Sequence, residues 1–232
     1  MSPLTLGSSS GKVPTDFTEL LDHLGSRPQP AVVHYAAADT RVELSGQVLA
    51  NWVTKLIGLF NEEYDLTEGD EVLIDAPPHW KAAAASLAAG AMGAEVALGS
   101  EGWPEAAVVV TDQPLSWVDS DTLGDAELAA LSLGMLDSSF EEATGEEIPA
   151  WVLDVSAEVR QHPDQLLMPL PEVPLPAAAN TGGEQGPLLL TEWSPESNDR
   201  MLGTWAQGGV VVLTDGQPDA ELAELIRSNE GV

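Results

Sequence analysis

Apolar positions along the chain follow two periods, one typical of amphipathic helices and one typical of strands. Over residues 17–24 they recur at three- and four-residue spacing and stop at Gly25, which predicts a first helix. The apolar run Ala31–Tyr35 and the alternating run Arg41–Leu44 then predict two strands, joined by a polar turn near Asp39. The first quarter of the chain is therefore expected to hold a helix and a strand pair.

A longer helix and a β-α-β unit follow. Ser45 is a residue type that favours a helix N-cap, and the broad apolar face from Val48 to Phe60 predicts a helix that packs on the core. After it, two short apolar runs enclose an alanine-rich stretch. This order predicts two parallel strands, because a parallel connection needs a crossover helix. The predicted segments are the strand Glu71–Ile74, the turn Ala76–Pro78, the helix His79–Met92 and the strand Ala94–Leu98.

The same unit recurs near the end of the chain. A shift of 115 residues superposes Leu73 on Leu188, and the same shift superposes Gly93 on Gly208. This match predicts two similar β-α-β halves. The remaining predicted segments are the strand Ala106–Val110, the strand Leu188–Leu190, the helix Pro195–Ala206, the strand Val210–Leu213 and a last helix Asp219–Arg227.

These elements predict an α/β fold with a mostly parallel sheet flanked by helices. A chain of 232 residues, of which 44% are hydrophobic, can bury the core of one such domain. We expect a flexible N-terminus over residues 1–13 and a single α/β domain over residues 14–232. Its expected parts are lobe one at about 14–112, an acidic middle segment of low periodicity at 113–186, and the second β-α-β unit at 187–232.

Charge limits the partners that the chain can have. It carries 38 acidic and 8 basic residues, for a formal net charge of -30. Such a surface repels phosphodiester backbones and anionic lipids, so we expect neither nucleic acid nor a membrane as a partner. The absence of cysteine excludes disulfides and thiolate chemistry. No apolar stretch near Met1 is long enough for a signal peptide, so a cytoplasmic location is expected.

Several segments carry the pattern of a known superfamily. They are Val42–Ser45 before a helix, Leu66–Ile74 with its Gly-Asp turn, the loop Ala76–Pro78, the helix end Ala89–Ala94, and the later segments Asp199–Leu202 and Ala206–Leu213. Together they resemble the N-terminal portion of adenylate-forming (AMP-binding, acyl-CoA synthetase-like) enzymes. The resemblance is greatest to a short actinobacterial-type branch that keeps only this front portion. It implies two pseudo-symmetric parallel-sheet subdomains, which would account for the internal repeat.

The catalytic motifs of that superfamily are not found in this sequence. The resemblance implies a phosphate loop that ends in Pro-Lys-Gly, but the glycine-rich stretch Asn180–Pro187 has no lysine and carries Glu184. The stretch Gly7–Lys12 is not a phosphate loop either, because no strand precedes it and Val13 replaces the required Ser or Thr. The superfamily's later catalytic lysine has no counterpart before Val232. We therefore expect no adenylation and no cofactor, and only the resemblance would allow ATP or CoA.

Candidate ligand-binding residues lie where the predicted strands end, since open α/β sheets bind ligands at the carboxyl ends of their strands. The predicted ligand-binding residues are Pro77, Pro78, His79, Trp80, Trp193 and Ser194. No catalytic residue is predicted, because the sequence has no nucleophile elbow or triad. No metal site is predicted, because His23, His34 and His162 lack the spacing of metal ligands. Most of the seven tryptophans are expected in the core, and Trp103 and Trp193, on turns, are the candidates for lining a groove or a contact surface.

Three functions are compatible with these features. The first is a non-catalytic remnant of an adenylate-forming enzyme that serves as a binding or interaction module, as a homo-oligomer or beside a second polypeptide. The second is a small-molecule binding protein for an acyl group, CoA or a nucleotide. The third is one half of a split adenylate-forming ligase whose other parts lie on another chain.

Overall fold

The strands of the molecule form two sheets. The computed structural model describes residues 12–36, 40–99, 106–177 and 186–232. The strands are β1 (Pro30–Tyr35), β2 (Arg41–Ser45), β3 (Glu71–Asp75), β4 (Glu95–Leu98), β5 (Val108–Thr111), β6 (Glu127–Ala130), β7 (Leu153–Asp154), β8 (Leu188–Leu190) and β9 (Val211–Thr214). The first sheet has the order β2-β1-β9-β8, and the second has the order β4-β3-β5-β6-β7.

Pairing within these sheets is mostly parallel. Strands β1 and β2 form an antiparallel hairpin, whereas the other pairings between the named strands are parallel. In the first sheet β1 lies beside β9, with Val32 opposite Val211 and Tyr35 opposite Thr214. The first and last strands of the described chain therefore belong to the same sheet.

Helices connect and cover the sheets. They are α1 (Phe17–Gly25), α2 (Gly46–Tyr64), α3 (Trp80–Ala91), α4 (Pro114–Val118), α5 (Phe140–Thr144), α6 (Val155–Glu158), α7 (Ser197–Ala206) and α8 (Ala220–Glu230), with a 3-10 turn at Val159–Gln161. The predicted cap Ser45 accepts a hydrogen bond from the backbone N–H of Val48. Asp16, His79 and Asp219 cap α1, α3 and α8 in the same way. None of the helices in the described part of the chain has the length and apolar character that a bilayer crossing requires.

Alternating burial along the strands defines five layers. In β3, Val72 and Ile74 face a core shared by both sheets, whereas Leu73 faces a smaller core beside α4 and α5. In β1, Val32 faces the shared core, whereas Val33 packs with residues of α8. Helices α1, α2, α3 and α7 contribute to the shared core and lie between the sheets. The predicted α/β fold with helices on both faces of a parallel sheet is confirmed, and its parallel strands are divided between two sheets.

The two predicted β-α-β halves are also confirmed. Strand β3, helix α3 and strand β4 form the first unit, and β8, α7 and β9 form the second, each with parallel strands side by side. Gly93 and Gly208, which the 115-residue shift superposes, both have a positive φ, at 90° and 74°. The left-handed conformation favours glycine, which has no Cβ.

The structure differs from the sequence prediction in the middle segment. No strand is predicted there, because the apolar residues of this segment show little periodicity. In the structure, β6 pairs in parallel with β5, and β7 pairs in parallel with β6, so both extend the second sheet. These strands are only four and two residues long, too short for a periodic signal. The proposed lobe boundaries stay a prediction.

Some predictions fall outside the described residues. These are the turn near Asp39, residues 1–11 of the N-terminus, Trp103, and residues 180–185 of the glycine-rich stretch. Among the other tryptophans, Trp80 and Trp205 are fully buried, as expected for core anchors. Trp151 lies outside the core, with a side chain that is 51% exposed on the turn before β7.

Candidate functional site

A cleft of about 950 Å³ opens at the carboxyl ends of strands from both sheets. The loops after β3, β4 and β5 form one side of it, and the loops after β8 and β9 form the other. The lining residues are Asp75–Pro78, Val96–Gly99, Asp112, Gln113, Thr191–Pro195, Asn198, Asp215 and Gly216. This is the position at which open α/β sheets bind ligands.

The cleft brings together four of the six predicted ligand-binding residues. Pro77 and Pro78 line it from the loop after β3, and Trp193 and Ser194 line it from the loop after β8. His79 and Trp80 are not among its lining residues, because the turn that precedes α3 directs both side chains into the core. They are 2% and 0% exposed, respectively.

Trp193 joins the two sides of the cleft. Its indole Nε1 donates a hydrogen bond of 2.7 Å to the carbonyl oxygen of Ala76, on the loop after β3. Gly99, at the end of β4, lies so close that a Cβ there would stand 3.6 Å from the Cβ of Trp193. The indole is therefore fixed in place between the two sheets.

Three aspartates stand where β3, β5 and β9 end, namely Asp75, Asp112 and Asp215. The indole Nε1 of Trp117 donates to Asp75 over 2.7 Å. The Nε2 atom of His34 lies 2.8 Å from Oδ1 of Asp215. Burial, followed by the charges of Asp75 and Asp215, raises the pKa of Asp112 above its usual value.

A row of buried side chains continues from Asp215 into the core. His34 is 2% exposed, and its ring packs edge-on against His79 with the ring centroids 4.3 Å apart. Nδ1 of His79 accepts a hydrogen bond of 3.1 Å from the backbone N–H of Lys81. Burial, with smaller contributions from His34 and Lys81, lowers the pKa of His79 to about 2. His79 is therefore neutral at physiological pH.

Lys81 ends this row on the side of β6. Its ammonium donates to the carbonyl oxygen of Ser132 over 2.6 Å, and the side chain is only 5% exposed. Burial is the main cause that lowers the pKa of Lys81 to about 8. The hydroxyl of Ser132 lies 2.5 Å from that of Ser156, in the same buried region. None of these three residues lines the cleft.

None of the chain's eight lysines and arginines lines the cleft either. The basic residues are Lys12, Arg27, Arg41, Lys55, Lys81, Arg160, Arg200 and Arg227, and each of them lies in the described part of the chain. Arg27 donates to the carbonyl oxygens of Gly209 and Pro30, and Arg41 pairs with Glu230. The segments outside the described residues contain no further lysine or arginine. The side-chain charge of the cleft is thus carried by carboxylates.

The described residues contain no group of three or more His, Asp or Glu side chains arranged to hold a metal ion. The carboxylates of the cleft follow three different strands and the loop after β8, and they do not form such a group. They set the electrostatic potential of the cleft but do not form a coordination sphere.

Sequence reasoning missed all three aspartates of the cleft. A signal for two of them exists, because the runs Val108–Asp112 and Val211–Asp215 both read as three apolar residues followed by Thr-Asp. An acid placed directly after a buried strand lies at the carboxyl edge of a sheet.

Comparison with solved structures defines the class of the fold. An acyl-CoA synthetase from Brucella canis matches with a TM-score of 0.73 at 17% identity, over 96% of this chain and 47% of that enzyme. The N-terminal subdomain of NpsA from Klebsiella oxytoca, in complex with 3-hydroxybenzoyl-AMSN, matches with a TM-score of 0.62 at 15% identity, over 96% of this chain and 60% of that one. The chain therefore has the fold of the N-terminal part of the adenylate-forming enzymes, and it spans about half the length of that synthetase.

Sequence comparison gives the family. A TIGR03089 family protein from Mycobacterium tuberculosis (strain ATCC 25618 / H37Rv) is 30% identical over 196 residues, which are 81% of this chain and 76% of that protein. The chain belongs to the TIGR03089 family. No family model matches it.

Proposed function

We propose that the protein is a ligand-binding module built on the N-terminal fold of the adenylate-forming enzymes, and that it does not adenylate acids. One observation carries this proposal. Among the described residues, the cleft at the strand ends is lined by the carboxylates of Asp75, Asp112, Glu192 and Asp215 and by none of the chain's lysines or arginines.

The charge of the cleft opposes a nucleotide triphosphate. At an effective dielectric constant of 20, two like charges about 6 Å apart repel by about 3 kcal/mol. Enzymes that bind triphosphates offset such repulsion with lysine, arginine, Mg²⁺ or a cradle of backbone N–H groups. Here none of the lysines and arginines of the chain lines the cleft. The described residues also contain no group of three or more side chains that could bind a metal ion. A neutral or cationic small molecule fits this cleft better than ATP.

Absence of adenylation is tested with ATP, Mg²⁺ and a panel of carboxylic acids. We expect no pyrophosphate release above the protein-free blank, with an active acyl-CoA synthetase as the positive control in the same assay. We also expect no heat of ATP binding in calorimetry. Pyrophosphate release that scales with the concentration of this protein would contradict the proposal.

Ligand binding is tested by native mass spectrometry of the purified protein. We expect a small molecule to copurify and to be lost in Trp193→Ala, because the indole forms part of the cleft wall. Trp151→Ala is the matched control, since Trp151 is exposed and does not line the cleft. Equal retention in both variants would place the ligand elsewhere. A flat thermal-shift screen together with no copurifying molecule would argue against a ligand-binding module.

A second candidate is one half of a two-chain ligase, and the fold match to the Brucella canis synthetase, with a TM-score of 0.73, favours it. Such a ligase needs a partner that carries the phosphate loop and the catalytic lysine. Affinity purification from the native host, followed by mass spectrometry, would recover that partner in constant ratio. Recovery of this chain by itself, as a monomer or a homo-oligomer, would favour the binding module.

A further inference from the structure

The walls of the cleft combine apolar and anionic surface. Pro77, Pro78 and Leu98 supply apolar surface, and the indole of Trp193 is held beside them by its hydrogen bond to Ala76. The carboxylates stand around this surface, at the ends of the strands. A ligand that matches both features has an apolar body and a positive charge.

Side chains of Trp117 and His34 hold two of these carboxylates in position. Asp75 accepts from the indole of Trp117 over 2.7 Å, and a neutral donor leaves the charge of the carboxylate in place. Asp215 lies 2.8 Å from the buried His34, whose ring is fixed against His79. The geometry of both carboxylates is thus set before any ligand arrives, which reduces the entropy lost on binding.

The negative charges of Asp75 and Asp215 both act on the carboxylate of Asp112. No ion pair in the described part of the chain involves Asp112. Its burial and the charges of Asp75 and Asp215 raise its pKa, which means that its charged form is disfavoured. A cation placed at this point would relieve that repulsion.

A divalent metal ion is a poorer match than an organic cation. The described residues include no set of three or more ligating side chains around one point, whereas Mg²⁺ and Ca²⁺ need several oxygen ligands at fixed distances. A cleft of about 950 Å³ is also far larger than an ion requires. An organic ammonium ion can use separate carboxylates and the apolar wall at the same time.

We propose that the cleft binds an organic amine in its ammonium form, with the charge near Asp112 and Asp215 and the apolar body against Trp193. The proposal rests on the proposed function, because it names the class of ligand for the same cleft. Such a cleft would bind carboxylates and phosphates of the same shape more weakly than the amine.

Three probes of the same shape test the charge preference: benzylamine, benzyl alcohol and benzoate. Binding is measured at low salt on the full chain, by calorimetry and by the NMR signal of the Trp193 indole N–H, assigned with Trp193→Phe. We expect benzylamine to bind about tenfold more tightly than benzyl alcohol, and benzoate to bind most weakly. The benzylamine affinity should fall as the pH is lowered, because protonation of Asp112 removes charge from the cleft.

A charge-matched pair of double variants separates local from global electrostatics. Asp112→Asn with Asp215→Asn should weaken benzylamine binding about tenfold, and asparagine still offers His34 an acceptor. Asp121→Asn with Asp125→Asn removes the same net charge from exposed residues outside the cleft, and it should leave the affinity within about twofold.

Each outcome decides the proposal. Equal affinity for the three probes, tighter binding of benzoate, or equal loss in both double variants would overturn the ammonium assignment while leaving the cleft as a binding site. If none of the three probes shifts the NMR signal of the Trp193 indole N–H, the ammonium assignment is overturned as well. Failure of the proposed function is seen separately, as pyrophosphate release or ATP binding in the assays described above.

Discussion

The two β-α-β units have the same local geometry but different burial. Helix α3 of the first unit is buried at every position from Trp80 to Ala91, and most of these residues are alanine. Helix α7 of the second unit is buried over Met201–Ala206, but Arg200 in its first half is exposed. Both helices end at a glycine with positive φ. Backbone repetition therefore does not imply the same packing.

The difference follows from the neighbours of each helix. Gly90 of α3 admits a ring from α1, since a Cβ at this position would stand 2.9 Å from Cζ of Phe17. The equivalent residue in α7 is Trp205, which fills the space itself and donates to the carbonyl oxygen of Ala31 over 3.0 Å. Small residues allow α3 to pack closely against its neighbours, whereas in α7 a large side chain, that of Trp205, occupies the equivalent position.

The largest expected effect concerns His79, whose equivalent in the second unit is Ser194. The pKa of His79 is lowered to about 2 from the ordinary value of 6.5, so the folded protein leaves it neutral while the unfolded chain binds a proton below about pH 6.5. Stability is therefore lost as the pH falls below 6.5. The loss due to His79 should reach about 3 kcal/mol at pH 4.5.

His79→Asn tests this linkage because asparagine keeps a cap acceptor for α3 but does not titrate. Urea unfolding of both proteins between pH 7 and pH 4.5 gives the two pH slopes. The variant should lose less stability than the wild type over this range. Parallel slopes for the two proteins would show that His79 does not carry the effect. Ser194→Ala should leave the slope unchanged.

The next effect compares equivalent positions of the two helices, Ala85 in α3 and Arg200 in α7. Ala85 is fully buried, so Ala85→Leu should overpack the shared core and lower the free energy of unfolding by about 1–3 kcal/mol. Arg200→Leu places the same side chain on an exposed position and should change it by less than about 0.5 kcal/mol. Chemical unfolding of the two variants measures both values. Similar losses at the two positions would contradict the described packing of α3.

The smallest effect concerns the glycines that end the two helices. Alanine at a positive φ costs about 1–2 kcal/mol in either position. At Gly93 the new Cβ would also stand 3.0 Å from Cβ and Cγ of Glu68, whereas at Gly208 its nearest neighbour is Nε2 of His23 at 3.8 Å. Gly93→Ala should therefore lower the thermal midpoint more than Gly208→Ala. The reverse order would show that the loop before β3 yields more easily than the structure indicates.

Local features of the fold could be predicted because they depend on neighbours in sequence. The β-α-β units, the cap Ser45 and the glycine ends all follow from residues within one or two turns. The position of the cleft also follows, since strand ends can be located once strands are known. Four of the six predicted residues, among them Pro77 and Trp193, line it.

Pairings between distant segments could not be predicted. The contact of His34 with Asp215 joins residues 181 positions apart and exists only because β1 lies beside β9. His79, the N-cap of α3, likewise packs against His34, which belongs to the first sheet. The grouping of carboxylates at the cleft depends on the tertiary structure for the same reason. The repeated Thr-Asp at two strand ends nevertheless indicates two of these carboxylates from the sequence.

The pairing of β1 with β9 also constrains how the protein is made. The five strands of the second sheet lie within residues 71–154, so they leave the ribosome together and can assemble while synthesis continues. The first hairpin is synthesised earlier, yet its edge at Val32–Tyr35 cannot pair with β9 until Val211–Thr214 emerges. The nascent chain thus carries an open apolar strand edge for most of its synthesis, and this edge is where chaperones would be needed.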